Sequence, residues 1–316
     1  MRDDVKKVAI IGVGMVGMSC AYAILNQRIC DELLLVDIDK KRAAGEAADL
    51  NHGLPFAPGV MKIESGNYED CCDADIVVIT AGAPQKDASQ TRRELLQDNV
   101  KVFRSVVEPV VKGGFSGIFL VATNPVDVMT YVTWKLSGFD PGRVIGRGTS
   151  LDSARLKFLM GAYFAVNPKN IHAYVIGEHG DSEFVPWSNA MVSVKPLEDI
   201  VSRDGDAVMA DMEDIAVQVR NSAYEIIQAK RVTNYGIGMV LARLVQAILS
   251  GENSIFSVSA YLDGAYDNHG IYAGVPAVVN AGGVREILEM HLTAEEQEKF
   301  NRSCAILRKM VSETEL

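Results

Sequence analysis

The chain has 316 residues, of which 48% are hydrophobic and 23% charged, a composition typical of a globular protein large enough for two domains. Asp and Glu outnumber Lys and Arg by 41 to 31, so the formal net charge is −10. This balance argues against nucleic acid as a partner but not against a small anionic substrate. Five cysteines without a C-x-x-C pair predict free thiols and a reducing, cytoplasmic location.

The N-terminal run from Val8 to Leu25 carries no charge and is 18 residues long, the length of a short membrane span. Glycines at 12, 14 and 17 weaken a helix through the whole run. We therefore expect a buried strand, a turn and a helix here, and not a signal peptide. No other stretch is long and apolar enough to cross a bilayer, so no membrane partner is expected.

The first half then alternates short β-branched runs with helical segments. The runs that predict strands are 8–12, 33–37, 75–80, 118–122 and 144–145, and the predicted helices are 16–27, 40–51, 92–112 and 125–136. Several strands are apolar throughout, as in a parallel sheet that helices cover on both faces. The fold class predicted for residues 1–148 is therefore α/β, a Rossmann-type doubly wound parallel sheet.

The second half, residues 149–316, mixes both kinds of element, and we expect an α+β substrate domain. Helices are predicted at 150–164, 206–230 and 233–250, and strands at 173–176, 191–194, 254–261 and 277–280. A last helix is predicted to begin near Thr293, because Thr293 and Glu296 have the spacing of a capping box.

A glycine pattern, Gly12-x-Gly14-x-x-Gly17, joins the first predicted strand to the first helix. In that setting the glycines allow a tight turn, close approach of a pyrophosphate and close helix–strand packing. Asp37 follows 20 residues after Gly17, at the end of the second strand, where a carboxylate accepts hydrogen bonds from a ribose. We therefore predict a dinucleotide, and NAD in preference to NADP because the carboxylate repels a 2′-phosphate.

The segment G177-E-H179-G-D181, taken with Asp152 and Arg155, indicates chemistry at an oxygen atom. A histidine near neutrality moves a proton, a buried carboxylate orients it, and a guanidinium fork holds an anionic substrate. Taken alone, the histidine is more often structural, and the alternative for the arginine is an ordinary residue on a helix surface. No histidine has the spacing of a metal ligand, so we predict no metal.

Seven motifs are spread over nearly the whole chain, and together they resemble those of the lactate/malate dehydrogenase family. They are GVGMVG at 12–17, TAGAPQ at 80–85, TR at 91–92, NPVD at 124–127, GTSLDSAR at 148–155, GEHGD at 177–181 and TNYGI at 233–237. The resemblance implies NAD-dependent L-lactate dehydrogenase activity, with pyruvate and L-lactate as substrates. The cofactor residues that it implies are Gly12, Gly14, Met15, Val16, Gly17, Asp37, Thr80, Ala81, Gly82, Asn124 and Ile237.

The same resemblance assigns roles at the substrate. His179 exchanges the proton, Asp152 fixes its tautomer, and Arg155 binds the substrate carboxylate. The resemblance further implies that Arg92 polarises the substrate carbonyl and that Asn124 forms a hydrogen bond to the substrate oxygen. Thr233 and Ile237 would line the pocket wall, and Gln85 would determine which 2-oxo acid is preferred. Asn124 has the alternative of a plain turn residue before Pro125.

Gln85 is expected to favour pyruvate, because malate dehydrogenases of the family carry arginine there for a second carboxylate. Two departures keep malate or bulkier 2-hydroxy acids open as alternatives. The segment between Gln85 and Arg92 is one residue longer than the family pattern, and Arg231 stands where glycine is common. A different-class alternative is a non-catalytic NAD-sensing protein, although an intact proton relay argues against it.

The resemblance also implies a homotetramer and an effector. Bacterial lactate dehydrogenases often bind fructose 1,6-bisphosphate through an arginine and a histidine. Here Lys157 and His172 match those positions, and lysine keeps the charge without the bidentate fork. The alternative is an ordinary surface pair with no effector.

Overall fold

The structure, a computed structural model, describes residues 5–83 and 91–316, apart from the side chains of Arg92 and Asp204. Twelve strands lie in these ranges: β1 Lys7–Ile11, β2 Glu32–Val36, β3 Lys62–Gly66, β4 Ile76–Ile79, β5 Ile118–Val121, β6 Val144–Gly146, β7 Ile171–His172, β8 Met191–Val192, β9 Lys195–Pro196, β10 Ser254–Asp263, β11 His269–Asn280 and β12 Gly283–Ile287.

Nine α-helices accompany them in the same described ranges. They are α1 Met15–Gln27, α2 Lys40–Gly53, α3 Arg92–Lys112, α4 Val126–Ser137, α5 Ser150–Tyr163, α6 Leu197–Asp204, α7 Asp206–Lys230, α8 Tyr235–Leu249 and α9 Ala294–Ser312. Within this part of the chain no helix combines the length and the apolar character that crossing a membrane requires. The uncharged N-terminal run forms β1, a turn and α1, as predicted.

The larger sheet has the strand order β12-β11-β10-β6-β5-β4-β1-β2-β3. Strands β3, β2, β1, β4, β5 and β6 run parallel, which is the doubly wound order predicted from the first half. The strands β10 to β12 are antiparallel and join β6 through a single residue pair, Ser259 with Gly146. Chain from both halves therefore meets beside the end of β6.

The core follows from this layering. Strands β1, β4 and β5 lie inside the sheet and are buried along nearly their whole length, since helices cover both faces. A second, smaller core lies among α5, α6 and α7 in the latter half of the chain. All five cysteines are free, in agreement with the prediction of thiols.

The strand predicted at 173–176 is wrong, since the nearest strand is β7, Ile171–His172, and within the predicted range only Ile176 pairs, in an isolated bridge with Phe184. Its neighbour Val175 instead bonds to side chains: its N–H donates to Ser153 Oγ at 2.9 Å, and its carbonyl accepts from Thr149 Oγ1 at 2.6 Å. A backbone satisfied by hydroxyl groups needs no strand partner. The predicted capping box at the start of α9 is confirmed, with Glu296 N 3.2 Å from Thr293 Oγ1.

Candidate active site

The glycine turn after β1 has no room for side chains. Gly12 has φ +102°, and a Cβ built on it would lie 2.5 Å from the backbone nitrogen of Ala81. A Cβ on Gly17 would lie 2.0 Å from the carbonyl oxygen of Gly12. Thr80 Oγ1 donates to that same oxygen at 2.6 Å. The end of β4 therefore closes tightly on the turn, as two of the three predicted glycine roles require.

The N-terminus of α1 is open to an anion. Its N-cap is Gly14, which offers no side-chain cap, and the first turn holds no acidic residue. The first intrahelical bond runs from Met18 N to Gly14 O at 2.9 Å. The backbone N–H groups of residues 15–17 precede it and make no hydrogen bond within the described chain. A Cβ built on Gly14 would meet nothing within 4 Å, so these donors and the helix dipole fit the pyrophosphate of a dinucleotide.

Asp37, directly after β2, reaches the same turn. Its Oδ2 accepts from Val13 N at 2.8 Å, and its Oδ1 accepts from Asp39 N at 2.9 Å. Each carboxylate oxygen has two lone pairs, so both can also accept from ribose hydroxyls. The side chain is partly exposed and thus reachable by a ligand.

The ends of β4 and β5 are joined by a residue that sequence analysis missed. Asn99 of α3 is buried, and its Oδ1 accepts from Ala83 N at 2.7 Å. Its Nδ2 donates to the backbone oxygen of Asn124 at 3.2 Å. Close by, a Cβ on Gly82 would lie 2.8 Å from Thr123 Cγ2. The backbone that carries Asn124 is therefore fixed, while its side chain is exposed.

The structure brings His179, Asp152 and Arg155 into contact. His179 Nδ1 lies 2.7 Å from Asp152 Oδ2, and Arg155 Nη1 donates to Asp152 Oδ1 at 2.9 Å. Burial alone would raise the pKa of Asp152, but His179, Arg147 and Arg155 outweigh it and hold that pKa at about 2. Asp152 is therefore an anion at neutral pH. The other ring nitrogen, His179 Nε2, makes no hydrogen bond within the described residues and remains available.

The loop that carries His179 is anchored by side chains of α4 and α9, and β10 supports the contact from α4. Asp127 of α4 accepts from His179 N at 2.8 Å through Oδ2 and from Ser259 Oγ of β10 at 2.6 Å through Oδ1. Ser303 Oγ of α9 accepts from Glu178 N at 2.6 Å. Burial raises the pKa of Asp127. Asp127 belongs to the NPVD motif, but the sequence alone indicates no role for it.

A second buried carboxyl lies beside the histidine. Glu183 Oε2 is 3.8 Å from His179 Nδ1, and burial together with the charge of Asp152 raises the pKa of Glu183 to about 9. Among the described residues, Asp152, His179 and Glu183 are the group whose donor atoms lie close enough, within 4.8 Å, to share a metal ion. The absence of a metal stays a prediction. The only sequence signal for Glu183 is its position four residues after His179.

The predicted pocket wall lies between α7 and α8. Ile237 is buried and Thr233 half-buried. Asn234, between them, accepts from Lys230 Nζ at 2.6 Å and donates to Ser19 Oγ of α1 at 2.7 Å, which ties this wall to the helix of the glycine turn. Two predicted substrate groups, Gln85 and the side chain of Arg92, lie outside the described residues.

The two predicted effector residues differ in their surroundings. Lys157 Nζ lies 4.9 Å from the ring centroid of Tyr174, and burial lowers the pKa of Lys157. Lys157 and Tyr174 both line a cavity of about 400 Å³. His172, in β7, is exposed.

Comparison with known proteins now identifies the family. Residues 6–146 match the description lactate/malate dehydrogenase, NAD binding domain, and residues 149–315 match the alpha/beta C-terminal domain of the same family. The chain belongs to the lactate/malate dehydrogenase family. Its cofactor is NAD, for which the glycine turn, the open end of α1 and Asp37 provide a fitting site.

Several members of the family are similar over nearly their whole length. The L-lactate dehydrogenase of Geobacillus stearothermophilus is 51% identical over 97% of this chain and 96% of its own. L-lactate dehydrogenase 1 of Bacillus cereus (strain ATCC 10987 / NRS 248) is 49% identical over 99% of both chains.

Solved structures show the same fold. A lactate dehydrogenase enzyme from a Medee basin deep-sea metagenome library superposes with a TM-score of 0.96 at 48% identity, covering 99% of each chain. The minor L-lactate dehydrogenase from Enterococcus mundtii in its ligands-bound form gives 0.95 at 42% identity over 98% of each chain. The predicted fold class and family are therefore confirmed.

Proposed function

We propose that this chain is an NAD-dependent L-lactate dehydrogenase that interconverts pyruvate and L-lactate. The contact of 2.7 Å between His179 Nδ1 and Asp152 Oδ2 carries the proposal, because it leaves Nε2 of the ring for a substrate oxygen. Relatives named L-lactate dehydrogenase, about half identical over nearly the full chain, support the choice of substrate.

The proton step uses both nitrogens of the ring. In pyruvate reduction, protonated His179 donates from Nε2 to the ketone oxygen, and Asp152 stabilises the imidazolium from Nδ1. In lactate oxidation, the neutral ring donates its Nδ1 proton in a hydrogen bond to Asp152 and accepts the hydroxyl proton at Nε2. The cofactor, when bound, would supply the hydride as NADH in pyruvate reduction and accept it as NAD in lactate oxidation.

The substrate is held by its carboxylate and its oxygen. Arg155 bonds to Asp152 through Nη1, and its Nη2 makes no hydrogen bond within the described residues, which leaves donors for the substrate carboxylate. Asn124 binds the substrate oxygen with its amide. Arg92 polarises the substrate carbonyl, and Thr233 forms part of the pocket wall.

Substrate choice is proposed to depend on Gln85. A neutral amide leaves the second carboxylate of oxaloacetate unpaired, which disfavours that substrate. Gln85→Arg should therefore shift the ratio of kcat/KM for pyruvate over oxaloacetate toward oxaloacetate. A wild-type enzyme that already prefers oxaloacetate would contradict this role.

Four further assignments belong to the proposal: a homotetramer, a cytoplasmic location, activation by fructose 1,6-bisphosphate at Lys157 and His172, and a division into a domain of residues 1–148 and one of 149–316. Pyruvate saturation curves with and without the bisphosphate test the effector. An unchanged curve would contradict activation by the bisphosphate.

Preference for NAD over NADP rests on Asp37, and equal kcat/KM with NADH and NADPH would contradict it.

One assay separates the candidate functions. The oxidation of NADH is followed with a panel of 2-oxo acids, comprising pyruvate, oxaloacetate and longer-chain acids. L-lactate dehydrogenase predicts the highest kcat/KM with pyruvate, whereas the alternatives predict oxaloacetate or a bulkier acid. NADH binding without oxidation of NADH by any acid of the panel would favour the non-catalytic sensor.

A further inference from the structure

A buried arginine in this site has no part in the mechanism given so far. Arg147 follows β6 directly, at the sheet edge where the loops after the parallel strands meet. Its residue is only 5% exposed, and burial lowers its pKa. Its Nε has no hydrogen-bond partner in the described chain. A buried guanidinium with an unsatisfied donor is poorly suited to a purely structural role.

One arm of Arg147 determines how the side chain of Asn124 is turned. Its Nη2 lies 3.0 Å from Asn124 Oδ1. Since a guanidinium only donates, the amide oxygen of Asn124 must face it and the amide nitrogen must face away. That nitrogen makes no hydrogen bond within the described residues. It is therefore left as a donor for an oxygen atom in the cleft.

The other arm places a positive charge next to the proton relay. Nη1 donates to Gly148 O at 3.0 Å and lies 4.0 Å from Asp152 Oδ2, the oxygen that is 2.7 Å from His179 Nδ1. A fixed cation beside this oxygen favours the ionised form of Asp152, the carboxylate that orients His179.

We propose that Arg147 is a positioning residue for the 2-hydroxy acid dehydrogenase reaction: it turns the amide nitrogen of Asn124 toward the substrate oxygen and places its charge beside Asp152, the carboxylate that orients His179. This inference rests on the proposed function. The other charged groups that face His179 or its partners among the described residues are Asp127 of α4, Asp152 and Arg155 of α5, Glu178 and Glu183 of its own loop, and Arg220 of α7 beyond Glu183.

Two variants test the orientation of Asn124. Arg147→Met removes the charge and the donors, and Arg147→Lys keeps the charge while losing the fork. We expect Arg147→Met to lower kcat/KM for pyruvate about tenfold, and Arg147→Lys to lower it less. In an Asn124→Ala background, Arg147→Met should lower kcat/KM clearly less than tenfold, because the amide through which Arg147 acts is absent.

The controls distinguish the possible failures. Arg143→Met removes another arginine of the same segment, one that donates to Gly117 O, and should keep the wild-type kcat/KM. Should Arg147→Met fail to fold, as judged by its thermal melting curve, Arg147→Gln carries the same test. An unchanged kcat/KM in the neutral variants, or a full tenfold loss in the Asn124→Ala background, overturns the inference. A wild-type enzyme that reduces none of the 2-oxo acids overturns the proposed function instead.

Discussion

Asp152 is the residue on which the site's charges converge. One of its oxygens faces His179 and the other accepts from Arg155, at 2.7 and 2.9 Å. His179, Arg147 and Arg155 together keep its pKa at about 2 although burial would raise it. A buried carboxylate held ionised in this way stabilises an imidazolium and fixes which ring nitrogen faces the substrate.

Asp152→Asn should therefore impair proton transfer more than substrate binding. Because the amide cannot stabilise an imidazolium, kcat for pyruvate reduction should fall roughly 10²- to 10⁴-fold while the KM for pyruvate changes less. Steady-state kinetics measure both, and Asp214→Asn, at an exposed carboxylate of α7, is the matched control. A variant with wild-type kcat would show that Asp152 does not serve His179.

At the same scale, the sequence predicts residues that belong to motifs and misses those that act through packing. His179, Asp152 and Arg155 stand in motifs, and the structure places them in contact. Arg147 and Glu183 carry no local pattern, because their importance comes from burial beside charges distant in sequence. Burial of single polar side chains is a tertiary property that periodicity does not encode.

At the scale of elements, two glycines of the turn have different reasons to be glycine: packing requires one, and the other leaves space for a ligand. A Cβ on Gly17 would overlap the carbonyl of Gly12, whereas one on Gly14 meets nothing. Gly14 also has φ −75°, which any residue tolerates. Alanine substitutions at these two positions therefore test packing and ligand binding separately.

Gly17→Ala should lower the free energy of unfolding by about 1–3 kcal/mol, because β1, β4 and α1 must move apart. Gly14→Ala should fold with the wild-type melting temperature but bind NADH more weakly, because its methyl group occupies space open to the pyrophosphate. Thermal melts and fluorescence titration with NADH measure these effects. Wild-type NADH affinity in Gly14→Ala would place the pyrophosphate elsewhere.

The end of α7 provides a second prediction for an element. Arg231 has φ +68° at the C-cap, a left-handed conformation that glycine adopts without strain. Arg231→Gly should raise the free energy of unfolding by about 1 kcal/mol, and Arg231→Ala, which keeps the strain, should not. Chemical denaturation tests this. An equal increase in the free energy of unfolding in both variants would show that the loss of the arginine side chain, and not the relief of backbone strain, is responsible.

Element boundaries show where local pattern is sufficient. Helices α3 and α7 have the predicted bounds, because long amphipathic runs with clear ends encode them. The short strands β3 and β12 and the helix α6 were missed. β3 is mostly exposed and rich in polar residues, so its pairing with β2 depends on the neighbouring strand and not on its own apolar pattern.

For the whole molecule, the parallel sheet assembles the site and the second half completes it. The chain after β1, β2, β5 and β6 supplies the glycine turn, Asp37, Asn124 and Arg147 to one edge, as parallel strands dictate. The loop with His179 docks there through α4 and α9, and Ser259 of β10 bonds to the α4 carboxylate that the loop contacts. In this arrangement Glu183 is buried near Asp152.

The pKa of Glu183 is raised from 4.5 to about 9 on folding, so the folded protein retains a proton that the unfolded chain releases. Stability from this group is complete below about pH 4.5 and is lost as pH rises toward 9, by at most about 1.4 kcal/mol per pH unit. Asp152, with its pKa lowered to about 2, has the opposite sign and acts only in acid, below this window.

Glu183→Gln, which is neutral throughout, should therefore flatten the decline in the free energy of unfolding between pH 5 and 9 and leave the variant relatively more stable at pH 9. Urea denaturation at several pH values measures this slope. Glu298→Gln, at an exposed position of α9, should keep the wild-type slope. A Glu183→Gln slope equal to that of the wild type would mean that Glu183 is already ionised in the folded protein at neutral pH.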